Sequence, residues 1–132
     1  MSPDANKDLV RRFYAEVINA QDLDAIDRLL AEDFVHNGEP RGRAGQRAGV
    51  EAFLAAFPDL ENEIVLILAE GDLVSAHQRW RGTHRGEFLG IAPTGKQVEF
   101  TSTALLRIAD GQIAQAWDEV DLMGLSVQLR GS

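Results

Sequence analysis

The segment QVEFTSTALLRIADGQIAQAWDEVD, residues 97–121, carries the clearest fold signal in this chain of 132 residues. Two runs rich in strand-forming residues flank ADGQ at positions 109–112, a polar stretch with glycine that is typical of a tight turn. The segment therefore predicts an antiparallel hairpin. Closing it with Ile108 opposite Ile113 fixes the face of every later residue, because side chains alternate along a strand.

Asp121 is the unusual residue of this predicted hairpin. In a regular strand it shares a face with Ile113 and Trp117 and lies across from Phe100, so it should look into the protein. Burying a carboxylate costs free energy unless a structural partner or a ligand binds it. Asp121 is therefore the first candidate for a functional group. Asp118 has the opposite parity and is expected to face solvent.

The spacing of apolar residues changes near Pro58. Before it, apolar residues recur every three to four positions, as in amphipathic helices, and after it a further strand pair is predicted over residues 63–84. Helices followed by antiparallel strands predict an α+β fold in one domain, residues 1–132, with the helices on one face of a curved sheet. The apolar rows of the three helices are Val10, Phe13, Tyr14, Val17 and Ile18; Leu23, Ile26 and Leu30; and Val50, Phe53, Leu54 and Phe57.

Composition narrows the class of protein and ligand. A formal net charge of -8 argues against nucleic acid or an anionic membrane surface as partner. The chain has no cysteine, which excludes disulfides and thiolate metal sites. It has neither an apolar run of membrane-spanning length nor a signal-peptide core, so a cytoplasmic location is expected. The expected ligand of such a protein is a neutral or mildly polar small molecule.

The three histidines do not have the spacing of a metal site. His77 and His84 are an odd number of residues apart and face opposite sides of a regular strand, while His36 belongs to a separate loop. No metal is therefore expected. His36 and His84 both sit beside glycine-rich loops, where the rims of pockets are commonly built. For each of them, a functional role and an ordinary loop position are both open.

A pocket at the interface of helices and sheet is expected from the periodicity of the aromatic residues. Trp80 and Trp117 fit ordinary core packing, but they would also form a wall for a flat polycyclic ligand. Tyr14 lies on the apolar stripe of the first helix, and Ser102 and Glu119 share the parity of Asp121. The expected substrate-binding residues are Tyr14, Phe53, Trp80, His84, Phe100, Ser102, Trp117 and Glu119.

Three stretches of the chain resemble a known family. FPDLENEIVLILAEGDLV (57–74), RGTHRGEFLGIAPTGKQVEF (81–100) and RIADGQIAQAWDEVDLMGLSVQL (107–129) look like the SnoaL-like polyketide cyclases, or ester cyclases, of the nuclear transport factor 2-like superfamily. The resemblance runs from about residue 8 to residue 129. It implies a cone-shaped α+β fold, in which three N-terminal helices pack on a strongly curved, mainly antiparallel sheet around a deep apolar pocket.

The resemblance also implies a reaction. Members of this family with established chemistry close a ring in an aromatic polyketide by an intramolecular aldol reaction, without a cofactor. Their acid–base aspartate lies near the end of the last strand, which matches Asp121 here. The leading hypothesis is a cofactor-independent enzyme for a hydrophobic carbonyl compound, with His36 or His84 stabilising the enolate oxygen.

Two rival readings remain open at this level. One keeps the pocket and changes the reaction to epoxide opening, isomerisation or hydroxylation of a related metabolite. The other is a non-catalytic module for small-molecule binding or dimerisation, a use to which this fold is often put. A homo-oligomer, dimer or tetramer, is expected in each case, because the outer face of such a sheet commonly pairs with a second copy.

Overall fold

A five-stranded sheet organises the structure, a computed structural model that describes residues 2–131. The strand order is β1-β5-β4-β3-β2, and β1 runs parallel to β5 while the other neighbours are antiparallel. The bounds are α1 Pro3–Phe13, continued by a π-helical segment Tyr14–Asn19, α2 Ala25–Leu29, β1 Leu30–His36, α3 Gly42–Ala56, β2 Glu61–Glu70, β3 Leu73–Thr83, β4 Gln97–Ala109, β5 Gln112–Val120 and α4 Leu122–Arg130.

The predicted α+β class is confirmed, with two additions. Three helices precede residue 60 and four antiparallel strands follow it, but the loop between the second and third helices also contributes β1. A fourth helix, α4, follows the last strand. The apolar rows of α1 and the π-helical segment pack on the sheet, and Val10, Val17 and Ile26 have no exposed surface. This packing closes one side of the space in which the candidate site lies.

A β-bulge in β5 changes which residues face the interior. The turn at Asp110 and Gly111 has positive φ at both positions, 52° and 74°, as in a tight two-residue hairpin, and Ile108 pairs with Ile113 as predicted. The register then shifts, because Arg107 pairs with Gln115 and leaves one extra residue in β5. An extra residue moves all later side chains to the opposite face.

The predicted pairing beyond the bulge is therefore wrong by one residue. Regular pairing from Ile108 and Ile113 would put Trp117 opposite Ala104, but Asp118 lies there, and Trp117 lies opposite Leu105. Ala104 is fully buried and Leu105 is exposed, so Asp118 turns inward and Trp117 turns outward. The bulge thus exchanges the expected roles of two neighbouring residues.

Candidate functional site

A cavity of about 420 Å³ lies between the helices and the inner face of the sheet. Trp80 and Phe100 stack in it with ring planes 4° apart and centroids 6.1 Å apart, and the Tyr14 and Phe53 rings each lie 6.1 Å from Trp80. The further lining residues are Phe13, Ile18, Leu30, Phe34, His36, Asn37, Arg41, Gln46, Gly49, Val50, Leu60, Ser102, Leu106, Ile113, Ala116, Asp118, Glu119, Val120 and Leu122.

Four of the five aromatic residues expected in the pocket wall line this cavity, and Trp117 is the exception. The Trp117 ring lies on the outer face of the sheet, with the Arg107 guanidinium 6.0 Å from its centroid. Ser102 lines the cavity and accepts a hydrogen bond of 2.8 Å from the Trp80 indole nitrogen, which fixes the ring against the sheet. Glu119 lies at the cavity edge and is exposed.

His36 and Asp118 form a hydrogen-bonded pair in the cavity. The His36 Nε2 and Asp118 Oδ2 atoms are 2.6 Å apart, and the two side chains are 14% and 25% exposed. A nitrogen this close to a carboxylate oxygen must carry a proton, so His36 donates to Asp118. The His36 Nδ1 atom is buried without a protein partner. The pair leaves the second carboxylate oxygen, Oδ1, outside this hydrogen bond.

The parallel pairing of β1 with β5 brings these two residues together. His36 aligns with Ala116, and the Asn37 backbone N–H donates to the Ala116 carbonyl at 2.9 Å. The Asn37 side-chain oxygen in turn accepts from the Asp118 backbone N–H at 2.8 Å. Asn37 has φ of 49°, a conformation that asparagine tolerates better than most residues. Asn37 therefore ties the end of β1 to the strand residue that carries the carboxylate.

The Tyr14 hydroxyl lies in the same interior. Burial raises the pKa of Tyr14 far above its ordinary value, the negative charge of Asp118 raises it further, and the Gln78 side chain partly opposes the rise. A phenol with such a pKa stays protonated and remains a hydrogen-bond donor at every physiological pH. Tyr14 belongs to the π-helical segment, an irregularity that often marks functional positions.

The structure does not place Asp121 in the cavity, and the expected inward orientation is wrong. Asp121 follows the last strand residue and is the N-cap of α4, where its Oδ1 accepts from the Gly124 backbone N–H at 2.8 Å. Its side chain is exposed. The cause is the bulge, which reverses parity, together with the end of the strand at Val120. The residue that does face the cavity from this segment is Asp118.

Replacing Asp121 with Ala should destabilise the protein without impairing the site. Loss of an N-cap side chain typically costs about 0.5–2 kcal/mol, because a helix N–H loses its partner. Urea titration should show the lower free energy of unfolding, and activity per folded molecule should be retained. Asp121→Asn is the control and should be close to wild type in stability, since Asn caps as well as Asp. A stable but inactive Asp121→Ala protein would return the catalytic role to Asp121.

His84 also lies away from the cavity. It is fully buried, its ring is 5.7 Å from that of Phe57, and its Nδ1 lies 2.9 Å from the Thr94 hydroxyl and accepts from the Thr94 backbone N–H. Its backbone bonds to Lys96 and Gly95 hold the loop between β3 and β4. His84 therefore does not line the cavity, where it was expected to contact the substrate. Its ring is part of the loop's packing.

Arg41 was not anticipated from the sequence, although it lines the cavity. Its Nη1 donates to Gln46 Oε1 at 3.0 Å, and its side chain lies across Gly45 and Gly49 of α3. A Cβ at Gly49 would be 3.2 Å from Nη1, and one at Gly45 would collide with the Arg41 Cγ. Glycine inside a helix lowers helix stability by about 1 kcal/mol relative to alanine. Alanine at Gly45 or Gly49 would crowd the Arg41 side chain, which explains why glycine stands at both positions.

Metal-site and membrane-span features are absent from residues 2–131. No group of three or more His, Asp or Glu side chains converges there as a metal site requires. Within the same residues, no helix is long and apolar enough to cross a bilayer.

Comparison with known proteins places the chain in a defined class. The chain belongs to the SnoaL-like polyketide cyclase family, whose model matches residues 8–129, and it is a polyketide cyclase-like enzyme of the nuclear transport factor 2-like fold. The family resemblance noted from the sequence is thereby confirmed. Membership also implies that the protein binds a small-molecule substrate.

Individual relatives cover nearly the whole chain. Aklanonic acid methyl ester cyclase DauD of Streptomyces sp. (strain C5) is 30% identical and matches 98% of this chain and 83% of its own. The structure of TsrD from Streptomyces laurentii superposes with a TM-score of 0.91 and 29% identity, covering 100% of this chain and 99% of TsrD. AclR from Streptomyces galilaeus, a proposed hydroxylase, gives a TM-score of 0.86 with 35% identity, covering 97% and 82% of the two chains.

Proposed function

We propose that the protein closes a ring in a hydrophobic carbonyl compound by an intramolecular aldol reaction, with Asp118 as the acid–base residue and no cofactor. The observation that carries this proposal is the His36–Asp118 pair, 2.6 Å apart, inside a cavity whose other walls are mostly apolar. The Oδ1 atom of Asp118 is outside this hydrogen bond, and a carboxylate oxygen within reach of a bound substrate can act as a general base. The family membership supports the same reaction class.

The first step is removal of a proton from a carbon next to a carbonyl group. Asp118 takes the proton, and the electron pair of the C–H bond moves to the carbonyl oxygen to give an enolate. The Tyr14 hydroxyl, which stays protonated, donates a hydrogen bond to that oxygen. His36 donates to the other carboxylate oxygen and holds the base in one orientation.

The second step forms the ring. The enolate carbon attacks a second carbonyl carbon of the same molecule, a C–C bond forms, and the attacked oxygen becomes an alkoxide. The proton held by Asp118 then moves to this oxygen, so the product is an isomer of the substrate and the carboxylate is regenerated. Confinement by the walls of the cavity, which include Trp80 and Phe53, keeps the two reacting carbons close and can lower the barrier by up to about 7–11 kcal/mol.

The proposal is tested by proton exchange in deuterated water and by product mass. Aklanonic acid methyl ester, the compound named in the relative DauD, and the corresponding free acid are suitable first substrates. The protein should introduce deuterium at the carbon between two carbonyls and give a product of unchanged composition. Boiled protein is the blank. Neither exchange nor ring closure with these or other aromatic polyketones would contradict the proposal.

Hydroxylation is the second candidate, and the similarity to AclR favours it. The two reactions differ in atom balance. Cyclisation gives an isomer and consumes no oxygen, whereas hydroxylation adds one oxygen atom and requires an oxidant. Mass spectrometry of the product under air and under nitrogen separates them, because only hydroxylation should disappear when dioxygen is removed.

We further propose that the protein works as a homo-oligomer in the cytoplasm. Leu66, Leu68 and Leu105 are 65%, 72% and 39% exposed on the outer face of the sheet, where burial against a second copy would remove apolar surface from water. Leu68 and Leu105 both pair with Ser75 of β3, so they form one continuous row across the sheet. Cell fractionation tests the location.

Leu68→Glu should convert the assembly to single chains. A carboxylate in the middle of the apolar row would be desolvated on association, so the dimer or tetramer should dissociate. Light scattering should then give a mass near 14.5 kDa for the variant and a multiple of it for the wild type. Glu61→Gln, at an exposed position at the start of β2, is the control. A wild-type protein that is already a single chain would refute the oligomer.

A further inference from the structure

We infer that Arg41 binds a carboxylate of the substrate at the mouth of the cavity, so that the substrate is an aromatic or polycyclic keto acid with a free carboxylate. The inference deepens the proposed function and rests on it only in assuming that the substrate enters this cavity. It concerns recognition of one end of the molecule and is independent of the residue that performs the acid–base step.

The first observation is the lack of a counterion. Arg41 is the one Lys or Arg side chain lining the cavity, and among residues 2–131 no carboxylate oxygen lies within 4.0 Å of its guanidinium. By contrast, Arg79 contacts two carboxylates, those of Glu63 and Glu99. A guanidinium that faces an apolar cavity without a protein carboxylate is positioned for one supplied by a ligand.

The second observation is that the side chain is held in place. Arg41, Gly45, Gly49 and Phe53 form a row at intervals of four along one face of α3 and the residue before it. The Arg41 side chain runs along this row over both glycines, and Nη1 reaches the level of Gly49. The hydrogen bond to Gln46 fixes it further. A side chain held in advance loses little freedom when a ligand binds.

The charges in the cavity select the type of anion. Asp118 and Glu119 also line it, so a doubly charged phosphate would be repelled more strongly than a singly charged carboxylate. The planar guanidinium matches the two oxygens of a carboxylate. Phe53, the next residue of the row, lines the same cavity and offers an aromatic surface for the adjoining ring of such a ligand.

The test compares two probes of the same shape, anthraquinone-2-carboxylate and its methyl ester, by isothermal titration calorimetry at neutral pH. The wild type should bind the acid about 10-fold more tightly than the ester, the gain expected of a charge-assisted hydrogen bond that remains partly solvated. Arg41→Gln should reduce the ratio of the two affinities to about one, mainly by weakening acid binding. Arg85→Gln removes the same charge from an exposed position outside the cavity and should keep the wild-type ratio.

The glycine row provides a second, independent variant. Gly49→Ala places a Cβ against Nη1 of Arg41 and should move the guanidinium while keeping its charge. Acid affinity should fall while ester affinity changes little, and thermal melting should show that the helix is retained, since alanine favours helix. This pattern would not arise from the loss of net charge alone.

The outcomes separate this inference from the proposed reaction. Asp118→Asn should retain the preference for the acid even where it abolishes turnover. Equal affinity of the wild type for the two probes overturns the role of Arg41 and leaves the aldol proposal standing. Failure of the wild type to bind either probe overturns that role as well. The same holds if Arg41→Gln keeps the wild-type ratio. Acid preference in a protein without any exchange activity would instead refute the reaction alone.

Discussion

Asp118→Asn should lower turnover by about 10²–10⁴-fold while the protein remains folded. The amide oxygen of Asn can still accept the hydrogen bond from His36, so the packing of the pair should change little. An amide cannot accept a proton from carbon, and the general-base step is therefore lost. Rates are measured as turnover and as deuterium exchange into the substrate, because both need the base. Circular dichroism establishes that the fold is intact.

Asp121→Asn is the matched control for this experiment. The chemical change is the same and the position is three residues further along the chain, but Asp121 is exposed and caps α4. We expect wild-type turnover from this variant. An Asp118→Asn protein as active as the wild type, beside an inactive Asp121→Asn protein, would show that the acid–base group is the capping residue.

Tyr14→Phe should lower kcat by about 10²–10³-fold, as loss of one donor to a developing oxyanion does. Phenylalanine keeps the ring that packs against Trp80 and Phe13, and only the hydroxyl is removed. The KM should change much less than kcat, because the hydrogen bond strengthens as the enolate forms. An equal loss in substrate affinity with unchanged kcat would assign Tyr14 to binding alone.

The same variant should change the response of stability to alkaline pH. Burial and Asp118 raise the pKa of Tyr14 in the folded protein, so above the unfolded value of about 10 the unfolded chain releases this proton while the folded chain keeps it. The folded state then binds more protons, and its stability falls as pH rises through this range. Tyr14→Phe should lack this part of the alkaline loss, as measured by urea titration between neutral and alkaline pH.

The sequence predicts the helices and the hairpin because their signals are local. Strict alternation over Val98 to Ile108 needs no knowledge of the rest of the chain, and the turn at Asp110 and Gly111 is a short-range signal. The parallel partner of β5 is not local. β1 pairs with it across about eighty residues of sequence, and no pattern in residues 30–36 specifies that neighbour.

The candidate site was only partly predictable for the same reason. Tyr14, Phe53, Trp80, Phe100 and Ser102 line the cavity as their periodicity suggests, because they precede the irregular part of the sheet. Asp118 was expected to face solvent because the sequence gives no sign of the bulge: it lies at an Ala-Gln step, without a glycine or proline. The capping role of Asp121 did have a signal, since Leu122, Leu125 and Leu129 follow it at helical spacing.

Arg41 shows a different limit. Its loop contains glycines and a proline, which indicate irregular backbone but not the direction of a long side chain. The informative pattern was the pair Gly45 and Gly49, one helical turn apart. Two glycines stacked on one face of a helix leave a groove, and the structure shows that Arg41 occupies it.

The extra residue in β5 also bears on how relatives of this protein should be compared. Distance from the hairpin turn, counted in residues, does not specify the depth of a side chain in the cavity unless the bulge is counted too. A relative that lacks the extra residue would have to carry its acid one position nearer the turn to reach the place opposite Ala104. Sequences in this family should therefore be aligned by strand pairing. A single insertion or deletion between the hairpin turn and residue 116 changes which residue faces the cavity, so it is not neutral variation in strand length.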